Sequence, residues 1–76
     1  MADERRPTVG IISTGTEILQ GLYADTNAQW LSERLLAIGL PVSCHCAVGD
    51  SMSDLENLLR QLRQQCDLLI VTGGLG

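Results

Sequence analysis

The chain has 76 residues, 45% of them hydrophobic and 18% charged, and nine acidic against five basic side chains give a formal charge of −4. That composition excludes a disordered tail, and without a Lys/Arg cluster beyond Arg5-Arg6 the basic footprint of a nucleic-acid-binding protein is missing. A domain near this length buries only about 60% of its unfolded surface, so stability is marginal.

With one Trp, one Tyr and no Phe, aliphatic side chains must fill the core. No apolar run is long enough to span a bilayer, and the polar segment 1–7 is an N-terminal tail rather than a secretory signal. Three cysteines without such a signal indicate free thiols in a reducing cytoplasm.

Thr8–Ser13 is a short β-branched run that meets a turn at Thr14-Gly15-Thr16, and it reads as a strand buried on both faces. Gly21 marks a turn after the short stretch Glu17–Leu19. Thr26 then caps a helix, with Gln29 reaching back in a capping box. Ala28, Leu31, Leu35 and Ile38 form its buried stripe; Gly39 suits the left-handed cap and Pro41 prevents resumption. Trp30 flanks that stripe as a packing residue.

Residues 42–48 alternate, which marks a second strand with one better-buried face. On such a strand the thiols of Cys44 and Cys46 point one way and the His45 imidazole the other, so Cys44-His45-Cys46 is no structural zinc site. Its thiols read as small buried hydrophobes. A second helix starts near Ser53, with Glu56 completing a capping box and Leu55, Leu58, Leu59, Leu62 and Cys66 on one face. Asp67–Val71 is the third strand, ending in Thr72-Gly73-Gly74-Leu75-Gly76.

The order β-α-β-α-β calls for parallel strands joined by right-handed crossovers. The continuously apolar first and third strands belong at the centre and the alternating second outside, in spatial order 2-1-3 with the helices on opposite faces. A topological switch point then lies between the first and third strands, where open α/β sheets bind ligands. Loops 14–17, 49–51 and 72–76 converge there.

The glycines after the third strand allow close approach of backbone to phosphate, although glycines there are often simple turns. The run lacks the Lys-Ser/Thr of a P-loop. Thr16 and Glu17 offer a hydroxyl and a carboxylate, or merely a helix start. Asp50 is either a capping residue or an acid aimed at the crevice, while Asp25 and Asn27 flank a helix start where capping is the cheaper explanation. Glu17, Asp50 and Asp25 together are compatible with Mg²⁺ held against substrate phosphates. His45 sits mid-strand, away from the crevice, as a packing or surface residue, and no nucleophilic triad is supported.

Four segments appear in order: Gly15-Thr16-Glu17-Ile18-Leu19, then residues 25–35 (DTNAQWLSERL), then Ala47-Val48-Gly49-Asp50, and finally Val71-Thr72-Gly73-Gly74-Leu75-Gly76. Together they closely resemble the N-terminal domain of the CinA (competence/damage-inducible protein) family, within the molybdopterin-binding MoaB/MogA-like superfamily. The resemblance implies an α/β, three-layer αβα fold, of which residues 8–76 form the β-α-β-α-β first half. It implies Asp50 and Glu17 as catalytic residues, and Gly15, Thr16, Asn27, Thr72, Gly73, Gly74 and Gly76 as ligand-binding ones.

The implied activity is metal-dependent ADP-ribose pyrophosphatase, with a Mg²⁺-type cofactor in the full-length parent and molybdopterin as the lesser alternative. A separate C-terminal domain of many members deamidates nicotinamide mononucleotide. The family continues past Gly76 with a Pro-Thr and closely spaced acids, so the chain is expected to be a truncated, inactive hydrolase fragment. The competing readings are a non-catalytic nucleotide- or pterin-binding module and a structural piece that pairs with its missing half or another copy. An apolar third strand at the chain end leads us to expect a homo-oligomer without nucleic-acid or membrane partners.

Overall fold

A computed structural model describes residues 7–21 and 25–73. Its elements are β1 (Val9–Thr14), α1 (Thr16–Leu19), α2 (Thr26–Ala37), β2 (Val42–Val48), α3 (Met52–Leu62) and β3 (Leu68–Thr72). The strands form a parallel sheet in the order β2-β1-β3, as the hydropathy pattern predicts.

β1 runs between the other two and all six of its residues are buried. Ile11 lies between His45 and Ile70, and Ile12 between Cys46 and Val71. β1 and β3 each start one residue later than hydropathy suggests. The cause is a clasp ahead of the ladder: the Asp67 and Leu68 amides donate to the Thr8 carbonyl at 2.8 and 3.1 Å, while the Thr8 amide donates to the Asp67 carboxylate at 2.8 Å. Among the described residues β1 alone is flanked on both edges. β3 pairs only with β1, leaving Leu68 42% and Val71 37% exposed.

One face of the sheet carries the main core. Ile12 packs with Leu55 and Leu62 of α3, and Cys44, Cys46, Val48, Leu58, Leu59 and Leu69 close around them. Burial pushes the Cys46 thiol up from its ordinary pKa, and the neighbouring Cys44 thiol, 3.6 Å away, adds to the effect. Burial likewise raises Cys66. These thiols therefore stay protonated and behave as apolar filling.

α2 covers the opposite face at its amino end. Of the expected stripe, Ala28 is buried and Leu31 and Leu35 are half-buried, but Ile38 is 70% exposed because the helix has already ended beneath it. Gly39, at φ 86°, provides the left-handed cap, and the Leu40 amide bonds back to the Leu35 carbonyl at 2.8 Å. Trp30 does not pack into the core. Its ring is exposed and lies 5.0 Å beneath the Arg34 guanidinium, one turn along the helix.

Both capping boxes fall elsewhere than the sequence pattern places them. Asp25, not Thr26, caps α2: its carboxylate accepts the Ala28 amide at 3.1 Å. Ser51, not Ser53, caps α3, its hydroxyl accepting from the Asp54 amide at 3.2 Å. In each case an eligible side chain lies one or two residues upstream, and a helix propagates back to the first residue that satisfies its orphan amides. Ser53 instead sits in the first turn with its hydroxyl 3.1 Å from that of Ser51.

Ser51→Ala should lower stability by about 1 kcal/mol, the ordinary cost of a lost N-cap. Ile12→Ala should cost about 2–5 kcal/mol, because the site is walled on both sides and cannot collapse. Urea denaturation of the two variants checks the ranking.

Candidate functional site

The carboxyl ends of the three strands meet through three polar ties. Gly15, at φ 134°, turns β1 into α1 and donates its amide to the Val48 carbonyl at 3.0 Å. The Thr16 hydroxyl donates to an Asp50 carboxylate oxygen at 3.0 Å, joining the loops that follow β1 and β2. The Thr14 hydroxyl donates to the Thr72 carbonyl at 3.0 Å and so joins β1 to β3. Gly73, at φ 120°, lies against Thr14 so closely that a Cβ there would overlap the Thr14 hydroxyl and carbonyl oxygens.

Five of the predicted residues are thus brought together: Gly15, Thr16, Asp50, Thr72 and Gly73. Glu17 is exposed at the rim, with its carboxylate curled over Gly15, 3.1 Å from where a Cβ on that glycine would stand. Asn27 is exposed in the first turn of α2, and no hydrogen bond among the described residues ties it to these loops. Gly74 and Gly76 lie outside the described residues. Gly15 serves by its backbone angle alone, since its amide is committed to Val48.

Two exposed carboxylates follow these strands, Glu17 after β1 and Asp50 after β2. Among the described residues no three His, Cys, Asp or Glu side chains form a metal-binding group. Two exposed carboxylates suit Mg²⁺, which takes one or two protein oxygens and completes its shell with phosphate and water. They do not suit a structural zinc, which wants four protein ligands.

Asp25 is not part of that pair, contrary to one expectation from the sequence. One carboxylate oxygen caps α2, and the other accepts from the buried Ser13 hydroxyl and lies 3.0 Å from His45 Nε2. His45 Nε2 is also 3.0 Å from Ser13 Oγ. Burial raises the Asp25 pKa, but the hydrogen bonds from Ser13, Ala28 and His45, with the charge of His45, outweigh it and hold the carboxyl below its ordinary 3.8.

His45 is exposed, as the reading of a packing or surface residue allows, and it also tethers β2 to Ser13 and Asp25. Sequence separations of 12 and 32 residues hide the cluster. The available signal was the alternation of β2, which sends His45 to the face away from the thiols. Ser13 and Asp25 both approach the same ring nitrogen, so this is no Ser-His-Asp relay, which needs the two nitrogens on different partners.

The family described as a probable molybdopterin binding domain matches residues 10–76. The chain belongs to that family. It is 50% identical over 68 residues to a CinA-like protein of Desulforapulum autotrophicum, covering 90% of this chain and 16% of that protein. A CinA-like protein of Escherichia coli is 48% identical over 68 residues, with 90% and 17% covered.

The crystal structure of CinA from Thermoplasma acidophilum, described as of unknown function, matches with a TM-score of 0.84 and 30% identity, over 92% of this chain and 41% of that one. The chain spans about a sixth of the length of these curated relatives. No helix among the described residues is long and apolar enough to cross a membrane.

Two outcomes follow from this geometry. Gly73→Ala should destabilise the fold by more than about 1 kcal/mol, since it adds both a positive-φ penalty and an overlap with Thr14; thermal melting measures it. Asp25 stabilises the fold at pH values above its unfolded-state pKa, and that contribution is lost as pH falls through the lower folded-state value. Asp25→Asn should therefore flatten the acid limb of unfolding below pH 3.8, followed by circular dichroism.

Proposed function

We propose that the carboxyl edge of the sheet binds the phosphate-bearing part of a nucleotide or pterin, and that the full-length parent acts as a metal-dependent pyrophosphatase on ADP-ribose. The observation that carries the reading is the Thr16–Asp50 hydrogen bond beside the Thr14–Gly73 contact. Together they tie the ends of all three strands at the carboxyl edge of the sheet, where open parallel sheets place their ligands. Gly73 brings main chain, rather than side chain, to that edge, as close approach to a phosphate requires.

In this reading Asp50 and Glu17 hold the divalent cation, and the Thr16 hydroxyl orients Asp50. When bound, the cation polarises a phosphoryl oxygen and screens the negative charge of the diphosphate. Thr72 and Gly73 line the opposite wall. The family match supports a second reading, a molybdopterin-type pterin held without turnover. It uses the same residues for its phosphate.

Asp50→Asn in the full-length parent should reduce Mg²⁺-dependent ADP-ribose hydrolysis by at least about 10–100-fold, the loss seen when even the outer support of a metal is removed. Its effect on stability should stay within about 0.5 kcal/mol, because the residue is exposed. Calorimetric titration of the unmutated chain with ADP-ribose and with a pterin phosphate separates turnover from plain binding. Binding of neither ligand sinks the phosphate reading. An Asp50→Asn variant that melts early but keeps full activity makes Asp50 only a partner for Thr16.

A further inference from the structure

The Ser13–Asp25–His45 cluster lies beneath the crevice on the α2 face and takes no part in the function proposed above. Its components come from three elements: Ser13 from β1, Asp25 from the start of α2 and His45 from β2. Ala28 is the one residue of α2 that is buried, so little apolar packing holds the amino end of this helix. A polar fastening there is correspondingly important. Ser13 is 1% exposed and is followed directly by Thr14, which ties β1 to β3 and backs Gly73.

The hydrogen-bond pattern sets the tautomer. The Ser13 hydroxyl proton is given to Asp25, and Asp25 is ionised, so the ring nitrogen facing both must itself carry a proton. Nε2–H is then the donor, and Nδ1 is where a second proton enters. Asp25 on α2 is the charged group that faces the ring; from β1 it meets the uncharged Ser13, and the neighbouring Cys44 and Cys46 turn to the opposite face. A proton on Nδ1 adds a positive charge opposite the Asp25 carboxylate and strengthens the tie between β2 and the start of α2.

We propose that Asp25 and His45, through Ser13, form a proton-dependent positioning clamp that draws the start of α2 against the end of β1 and tightens the ligand crevice when the imidazole is charged. The role is one of positioning, since among the described residues no hydrogen bond joins these three side chains to the loops after the strands. Its effect on ligand affinity rests on the phosphate-binding reading; its effect on the strand end does not.

The test uses amide NMR of the ligand-free full chain between pH 8 and pH 5.5, with ADP-ribose titrations at pH 8 and pH 6. His45 is the single histidine, so its ring signals are unambiguous. The Thr14 and Gly15 amides should shift with the same midpoint as the His45 ring. That movement should vanish in His45→Gln, and in Asp25→Asn, which keeps a competent N-cap while removing the charge. ADP-ribose should bind about two- to fivefold more tightly at pH 6 than at pH 8, the worth of a partly exposed ion pair. Amides that ignore the His45 midpoint, or that follow pH unchanged in His45→Gln, overturn the clamp. Coupled amides in a chain that binds no ADP-ribose uphold the clamp and overturn the phosphate reading instead.

Discussion

Every feature of this structure depends on a strand without a solvent-facing side. β1 has a partner on each edge, α3 on one face and the start of α2 on the other, and each of its six residues is buried. A strand so enclosed tolerates one register only, because a slip by a single residue would exchange its two faces. Ile12 would leave the Leu55–Leu62 cluster, and the Ser13 hydroxyl would enter it. Burial of an unpaired hydroxyl among leucines costs on the order of 1–3 kcal/mol, and the lost packing adds to it.

That register also distributes the chemistry. Odd-numbered positions of β1 and β2 face α2 and collect Ser13 and His45; even-numbered ones face α3 and collect Ile12, Cys44 and Cys46. Polar and apolar functions are thereby separated by the thickness of one sheet. On the α3 side burial raises the Cys46 and Cys66 thiols, while the α2 side carries a hydrogen-bonded group whose buried polar atoms all find partners among the described residues. Parallel pairing has a further consequence, since it brings all three strands to their carboxyl ends on the same edge, where Thr14, Val48 and Thr72 end together.

The periodicities in the chain determined the three strands, the long helices, the 2-1-3 order and the thiol-versus-imidazole faces, because side-chain direction follows from period 2 or 3.6 and burial follows from composition. That Gly15, Thr16, Asp50, Thr72 and Gly73 gather at one edge of the sheet was legible for the same reason: they follow or end strands, and parallel strands end together. Only tertiary structure decided what each residue spends its hydrogen bonds on. Asp25 satisfies three donors at once, His45 joins a helix start it cannot see along the chain, and the Gly15 amide is consumed by Val48. Ile38 falls outside the core although its spacing is correct, since the stripe outlasts the helix. Local pattern specifies which way a side chain points; the partner that meets it comes from segments 12 to 58 residues distant, and no local pattern carries that distance.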